Sequence, residues 1–140
     1  SFYKGCDGII LCYDITNRES FESLEHWLKK INSSNQKIPI VIAANKVDLG
    51  HSRQVTSAEG QEFAIRHGLE HIEVSAMFGL NVDKVFTTLA KLCMEKKARS
   101  PIKNLSIPSI EGKRSQTSTS VTHEDQYNHT ITSLDEEVFS

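Results

Sequence analysis

Ile38-Pro39-Ile40-Val41-Ile42-Ala43-Ala44 runs directly into Asn45-Lys46-Val47-Asp48-Leu49. The first seven residues are apolar, rich in β-branched side chains, and too few for a buried helix. They read as a strand buried on both faces. The polar cluster then stands at that strand's carboxyl end, where open parallel sheets bind their ligands.

Upstream, Gly8-Ile9-Ile10-Leu11-Cys12-Tyr13-Asp14-Ile15 reads as a second doubly buried strand. Thr16-x-x-Glu19 has the form of a capping box. Phe21, Leu24, Leu28 and Ile31 follow at helical spacing, with Glu22, Glu25, Lys29 and Lys30 on the other side and Asn32-Ser33-Ser34-Asn35 as the stop. Downstream, Gly50 to Arg53 reads as a loop and Thr56-x-x-Glu59 as another capping box. A short helix then carries Phe63 and Ala64 inward and ends at Gly68 in a left-handed conformation. His71-Ile72-Glu73-Val74-Ser75 alternates polar and apolar, as an edge strand does. Asn81 is placed to cap a last helix with the stripe Val82, Val85, Phe86, Leu89, Leu92 and Cys93. The strand-helix alternation implies parallel strands with right-handed crossovers, half of a doubly wound α/β sheet.

The cluster after the central strand suits a guanine ring. The Asp48 carboxylate can accept two N–H donors from one ring edge, which guanine has and adenine lacks. Asn45 offers an amide to a ring nitrogen and can tie neighbouring loops together. The Lys46 stem can lie along a flat ring while its ammonium reaches a sugar oxygen. Buried polar groups of this kind discriminate strongly, because the wrong base leaves them unpaired. The bland alternative is a polar turn, since Asn and Asp favour turns on their own account. Asp14 and Tyr13 also stand at a strand end, where such residues commonly finish a strand and start a turn.

Asn45-Lys46-Val47-Asp48 resembles the N-K-x-D guanine motif of small Ras-like GTPases. Ser75-Ala76-Met77 resembles the family's S-A-K element one helix later. The opening, Ser1-Phe2-Tyr3-Lys4-Gly5-Cys6-Asp7-Gly8 through Tyr13-Asp14-Ile15-Thr16 and Glu19-Ser20-Phe21, is similar to the Rab branch. The resemblance covers residues 1 to about 99. It implies a partial Ras-like P-loop NTPase (Rossmann-like) three-layer fold with about three parallel strands and three helices. It also implies GTP/GDP as ligand, with Asn45, Lys46, Asp48, Ser75, Ala76 and Met77 reading the base. The backbone N–H of Ala76 would meet the guanine oxygen, and Ser75 would brace the loop and the Asp48 carboxylate. Met77 stands where the family usually has Lys; its thioether can pack on a ring but supplies no charge.

No G-x-x-x-x-G-K-[ST] run occurs in the chain, and a phosphate cradle needs one. The switch threonine and the D-x-x-G segment are likewise missing. With Ser as first residue, the expectation is the C-terminal portion of a small GTPase domain. Hydrolysis and Mg2+ would then belong to the full-length protein. The apolar strand at 8–15 would be left with an open edge. The resemblance implies a switch in vesicle trafficking, with Rab-type effectors and exchange factors as partners. The alternative is a non-catalytic module that docks partners through the half-domain and an acidic tail. A phospho-acceptor α/β domain fits the alternation but not N-K-x-D followed by Ser-Ala.

Composition excludes several other classes. The chain has 140 residues, 38% hydrophobic and 7% aromatic, enough for one domain. Residues 1–99 carry 13 Lys/Arg against 12 Asp/Glu, and residues 100–140 carry 3 against 6, so neither part is basic enough for a nucleic-acid binder. No apolar run approaches the roughly 18 residues of a membrane span. Three scattered cysteines, Cys6, Cys12 and Cys93, read as structural thiols in a reduced, cytoplasmic protein. His67 and His71 are separated by Gly68, which argues against a zinc site. Residues 100–140 are rich in Ser, Thr and charge, and read as a disordered tail. No Cys follows Cys93, so prenylation is not expected and contact with endomembranes would run through partners.

Overall fold

The computed structural model describes residues 5–100. The expected tail falls almost wholly outside them. The apolar run forms β2 (Ile40–Asn45), the middle strand of a three-stranded parallel sheet between β1 (Ile9–Asp14) and β3 (Glu70–Glu73). Three helices complete the order: α1 (Arg18–Asn32), α2 (Ser57–His67) and α3 (Val82–Arg99).

Side-chain alternation along β2 divides the core in two. Ile40, Ile42 and Ala44 join Leu24, Leu28 and Ile31 of α1 and Phe63 and Ala64 of α2 on one face. Val41 and Ala43 join Ile72, Val74 and the α3 residues Val85 and Leu89 on the other. Helices on both sides make a three-layer partial Ras-like α/β fold. They explain why β2 is apolar throughout rather than alternating. Each buried Ile, Leu or Val contributes about 1.5–3 kcal/mol.

The register sets the site. Ile9 pairs with Ile40 and, five residues on, Asp14 pairs with Asn45, so β1 and β2 end side by side. Val41 to Ala44 pair with Glu70 to Glu73. β3 is the expected edge strand, though it stops at Glu73 rather than Ser75.

Local signals held at some termini and failed at others. The Thr56–Glu59 capping box is complete: Thr56 N–H donates to Glu59 Oε2 at 2.8 Å, and Glu59 N–H to Thr56 Oγ1 at 3.2 Å. Gly68 closes α2 with φ +66°. The cap of α1, however, is Asn17 and not Thr16; Asn17 accepts from Ser20 N–H at 3.3 Å. Thr16 is diverted because its N–H and hydroxyl both donate to Asp14 Oδ1, at 2.8 and 2.7 Å. Asn81 occupies the first position before α3 but makes no cap bond; its Nδ2 donates to the Glu73 carbonyl at 2.8 Å. A 3-10 segment, Val47–Ser52, takes up most of the expected Gly50–Arg53 loop.

β1 is not buried along its whole length. Cys12 is exposed, although it shares a face with buried Ile10. α3 packs beside Gly8, where Leu89 and Cys93 stand close to the backbone, whereas Cys12 lies farther along β1, the edge strand of the three described. Cys12 is therefore not a core thiol. Cys6 and Cys93 are half-buried, and burial raises the pKa of both. None of the three is in a disulfide.

Candidate functional site

The residues expected to read a base lie at and just after the carboxyl end of β2 and in the loop after β3. Asn45 is the last residue of β2. Its Oδ1 accepts two backbone N–H groups, from Lys46 at 2.8 Å and from Ala76 at 3.0 Å. One side-chain oxygen thus joins segments 31 residues apart.

Lys46 turns the chain with φ +69°, a left-handed conformation that costs a non-glycine residue about 1–2 kcal/mol. The bonds around it hold the turn. Val47 N–H donates to the Val74 carbonyl at 3.2 Å, and Leu49 N–H to the Lys46 carbonyl at 2.9 Å.

Asp48 then faces the Ser75-Ala76 loop. Ser75 is 1% exposed. Its hydroxyl donates to Asp48 Oδ1 at 2.6 Å and accepts from Phe78 N–H at 3.2 Å. A short antiparallel bridge between Ser75 and Leu80 closes the loop, with bonds of 3.1 and 3.0 Å. Asn45, Asp48, Ser75 and Ala76 therefore form one bonded cluster, with the bracing of Asp48 by Ser75 that the resemblance implied.

Two groups have other partners than expected. The Ala76 N–H, expected to meet a guanine oxygen, donates to Asn45. The Lys46 ammonium, expected at a sugar, lies 2.6 Å from Asp14 Oδ2. Polar groups gathered at adjacent strand ends satisfy one another. Met77 is 82% exposed, and Phe78 and Leu80 are exposed beside it, so the loop shows an apolar rim to solvent.

Asp14 ends β1 and starts the following turn, as expected, and its carboxylate also pairs with Lys46, which the turn reading does not contain. Its carboxyl is held below the usual range: burial pushes it up, but hydrogen bonds from Lys46 and Thr16 outweigh that. The signal was there in the two strand ends, since laying β1 against β2 in register puts Asp14 opposite Asn45. Tyr13, beside it, is a core residue: its hydroxyl bonds His71 Nε2 at 3.0 Å. His71 is thus engaged inside the fold, and His67 bonds Glu25 at 3.1 Å. Among the described residues no group of three His, Cys, Asp or Glu side chains is placed to hold a metal ion. An open depression of about 780 Å3, lined by Ile38, Pro39, Leu69 and Arg99 among others, lies at the amino end of β2, away from this cluster.

Comparison with known proteins agrees with the geometry. The sequence model described as "Ras family" matches residues 1–95. The chain is 43% identical over 95 residues to the Ras-like protein rasU of Dictyostelium discoideum, covering 67% of this chain and 45% of that protein. It is 37% identical over 97 residues to the Ras-related protein Rab-8B of Bos taurus, covering 69% and 47%. It is 36% identical over 102 residues to the Ras-related protein Rab-26 of Mus musculus, covering 72% and 39%. The chain thus spans about half or less of the length of these relatives. With the matched residues taking in both strand-end loops, the chain belongs to the Ras family, as a Rab-like member of the small GTPase superfamily.

Proposed function

We propose that residues 5–100 form the base-reading half of a guanine-nucleotide switch. The observation that carries this is the short bond from buried Ser75 to Asp48 Oδ1, which fixes a carboxylate at the top of the sheet beside a backbone N–H. Asp48 Oδ2 has no partner among the described residues and stands ready for a ring N–H. In this reading Asp48 accepts the two donors on guanine's edge, and Asn45 Nδ2 donates to a ring nitrogen. The Ala76 N–H is shared between Asn45 Oδ1 and the ring oxygen. The Lys46 stem and the Met77 thioether cover the ring faces. Base specificity follows from the donor and acceptor pattern.

Family membership extends the proposal to the longer protein. It would bind GTP and GDP, hydrolyse GTP, and switch effector and exchange-factor binding during vesicle traffic at endomembranes, on the cytoplasmic side. Mg2+ would enter with the phosphates. Residues 5–100 do not supply a fitting ligand set for it, and no step through the metal is assigned to them. No described helix is long and apolar enough to cross a membrane.

The test is Asp48→Asn, with GDP and the xanthine diphosphate titrated separately into the chain. Xanthine presents a carbonyl where guanine has its amino group, so an amide at position 48 should reverse the preference by about tenfold or more. Unchanged guanine preference in the variant would remove Asp48 from the site.

A further inference from the structure

We propose that Asp14 is a positioning residue for this base site, one that makes Lys46 a reader of the sugar's neutral oxygens rather than a phosphate binder. The inference rests on the nucleotide reading above.

Lys46 is fixed at both ends. Its backbone is in the left-handed region and its N–H is held by Asn45 Oδ1. Its ammonium is 2.6 Å from Asp14 Oδ2. Asp14 is itself immobilised: Oδ1 accepts both the N–H and the hydroxyl of Thr16. Its backbone N–H donates to Ser20 Oγ at 3.0 Å, and its carbonyl accepts from Asn17 N–H at 3.0 Å. A lysine stretched between two such points has lost most of its rotameric freedom before any ligand arrives. Its stem runs from the end of β2 toward the end of β1, and these ends stand side by side in register.

Charge decides what the ammonium can recognise. An unpaired ammonium at a strand end attracts anions. This one is compensated by a carboxylate that is only 22% exposed, so its net pull on a phosphate is small. It still has three donors, and Asp14 takes one. The remaining two suit uncharged oxygens, such as the ring oxygen or a hydroxyl of ribose. Asp14 thus acts through Lys46, without touching the nucleoside.

The test compares guanosine with GDP as probes, using the whole chain, Asp14→Asn, Lys46→Met and the double variant. An asparagine keeps an oxygen for Thr16 and removes the charge. The expected result is that Asp14→Asn weakens guanosine binding by about fivefold to tenfold, the worth of one charge-assisted contact. GDP should lose less and become more salt-sensitive, because the freed ammonium now meets phosphate. The double variant should match Lys46→Met alone. Guanosine affinity unchanged in Asp14→Asn, or effects that add in the double variant, would overturn the role of Asp14 while leaving the base site intact. Wild-type chain that binds guanosine no better than adenosine would overturn the nucleotide reading and this role with it. A second readout needs no nucleoside: Lys46 should be acylated faster in Asp14→Asn than in wild type, and equal rates would refute the pairing. If Asp14→Asn fails to fold, Lys46→Met decides, since it should weaken guanosine and GDP by the same factor; a larger loss for GDP would show a phosphate-facing ammonium.

Discussion

Replacing Gly60 by Ala sets two opposing effects against each other. Gly60 lies within α2, and alanine there should stabilise the helix by about 0.8–1 kcal/mol. The added methyl, however, would run into the Tyr13 hydroxyl and the His71 ring. Those two groups are bonded to each other at 3.0 Å, with Tyr13 only 2% exposed. Tyr13 cannot swing aside, because its ring packs on Phe21 at 5.1 Å and Phe21 packs on Phe63 at 5.5 Å. Crowding a packed interior costs about 1–3 kcal/mol, and parting a buried donor from its acceptor costs about 1–3 kcal/mol more. His71 is only half-buried, so water can recover part of the second loss. The lower halves of these ranges, less the helix gain, leave about 2 kcal/mol of destabilisation. Urea unfolding followed by the single tryptophan, Trp27, reads this directly. The midpoint should fall by about 1 M or more with an unchanged slope. Adding Tyr13→Phe, which removes the oxygen the methyl would strike, should restore part of the loss. A midpoint at or above wild type would show that α2 can move off the sheet, and the close-approach reasoning would be wrong.

Ser75→Ala should cost about 1.5 kcal/mol, the low end for a hydrogen bond to a charged group, since Asp48 is half-buried and water can replace the donor. Amide exchange at Phe78 and Ala76 should quicken, and unchanged exchange would contradict the bracing. Stability should also depend on the His71 ring. Burial lowers its pKa, with Arg53 adding to that and Glu73 opposing it, so the unfolded chain binds the proton more readily than the folded one. This contribution is fully present above the unfolded value of about 6.5 and is lost as pH falls below it toward the folded pKa. The unfolding midpoint should therefore drop as pH falls below about 6.5, and His71→Gln should flatten that drop; an identical slope in the variant would exclude His71 as its source.

What the sequence made legible was whatever depends on neighbours in the chain. β-branched runs identified β1 and β2, helical spacing identified α1 and α3, and the Thr56–Glu59 box and Gly68 marked both ends of α2. The N-K-x-D and Ser-Ala elements contain the four residues that the fold joins in one bonded cluster. What stayed hidden depends on neighbours in space. Thr16 had the spacing of a cap, but Asp14 lies two residues back and competes for its hydrogens. Asn81 had the chemistry of a cap, but the end of β3 offered its amide a carbonyl. The Lys46–Asp14 pair stayed hidden because nothing in a linear reading puts Asp14 within reach of that ammonium. Cys12 has an apolar strand around it in sequence, yet it is exposed on an edge strand of the described sheet.

The doubly accepting oxygen of Asn45 has a consequence for mutational tolerance. The same atom that ties the β2 turn to the loop after β3 belongs to the residue whose amide is proposed to face the purine. Recognition and architecture therefore cannot drift apart at this position. A substitution that altered ligand choice there would also release two backbone amides and loosen a long-range tie, so selection for a new specificity would have to act at Asp48 or Met77, where the scaffold has less at stake.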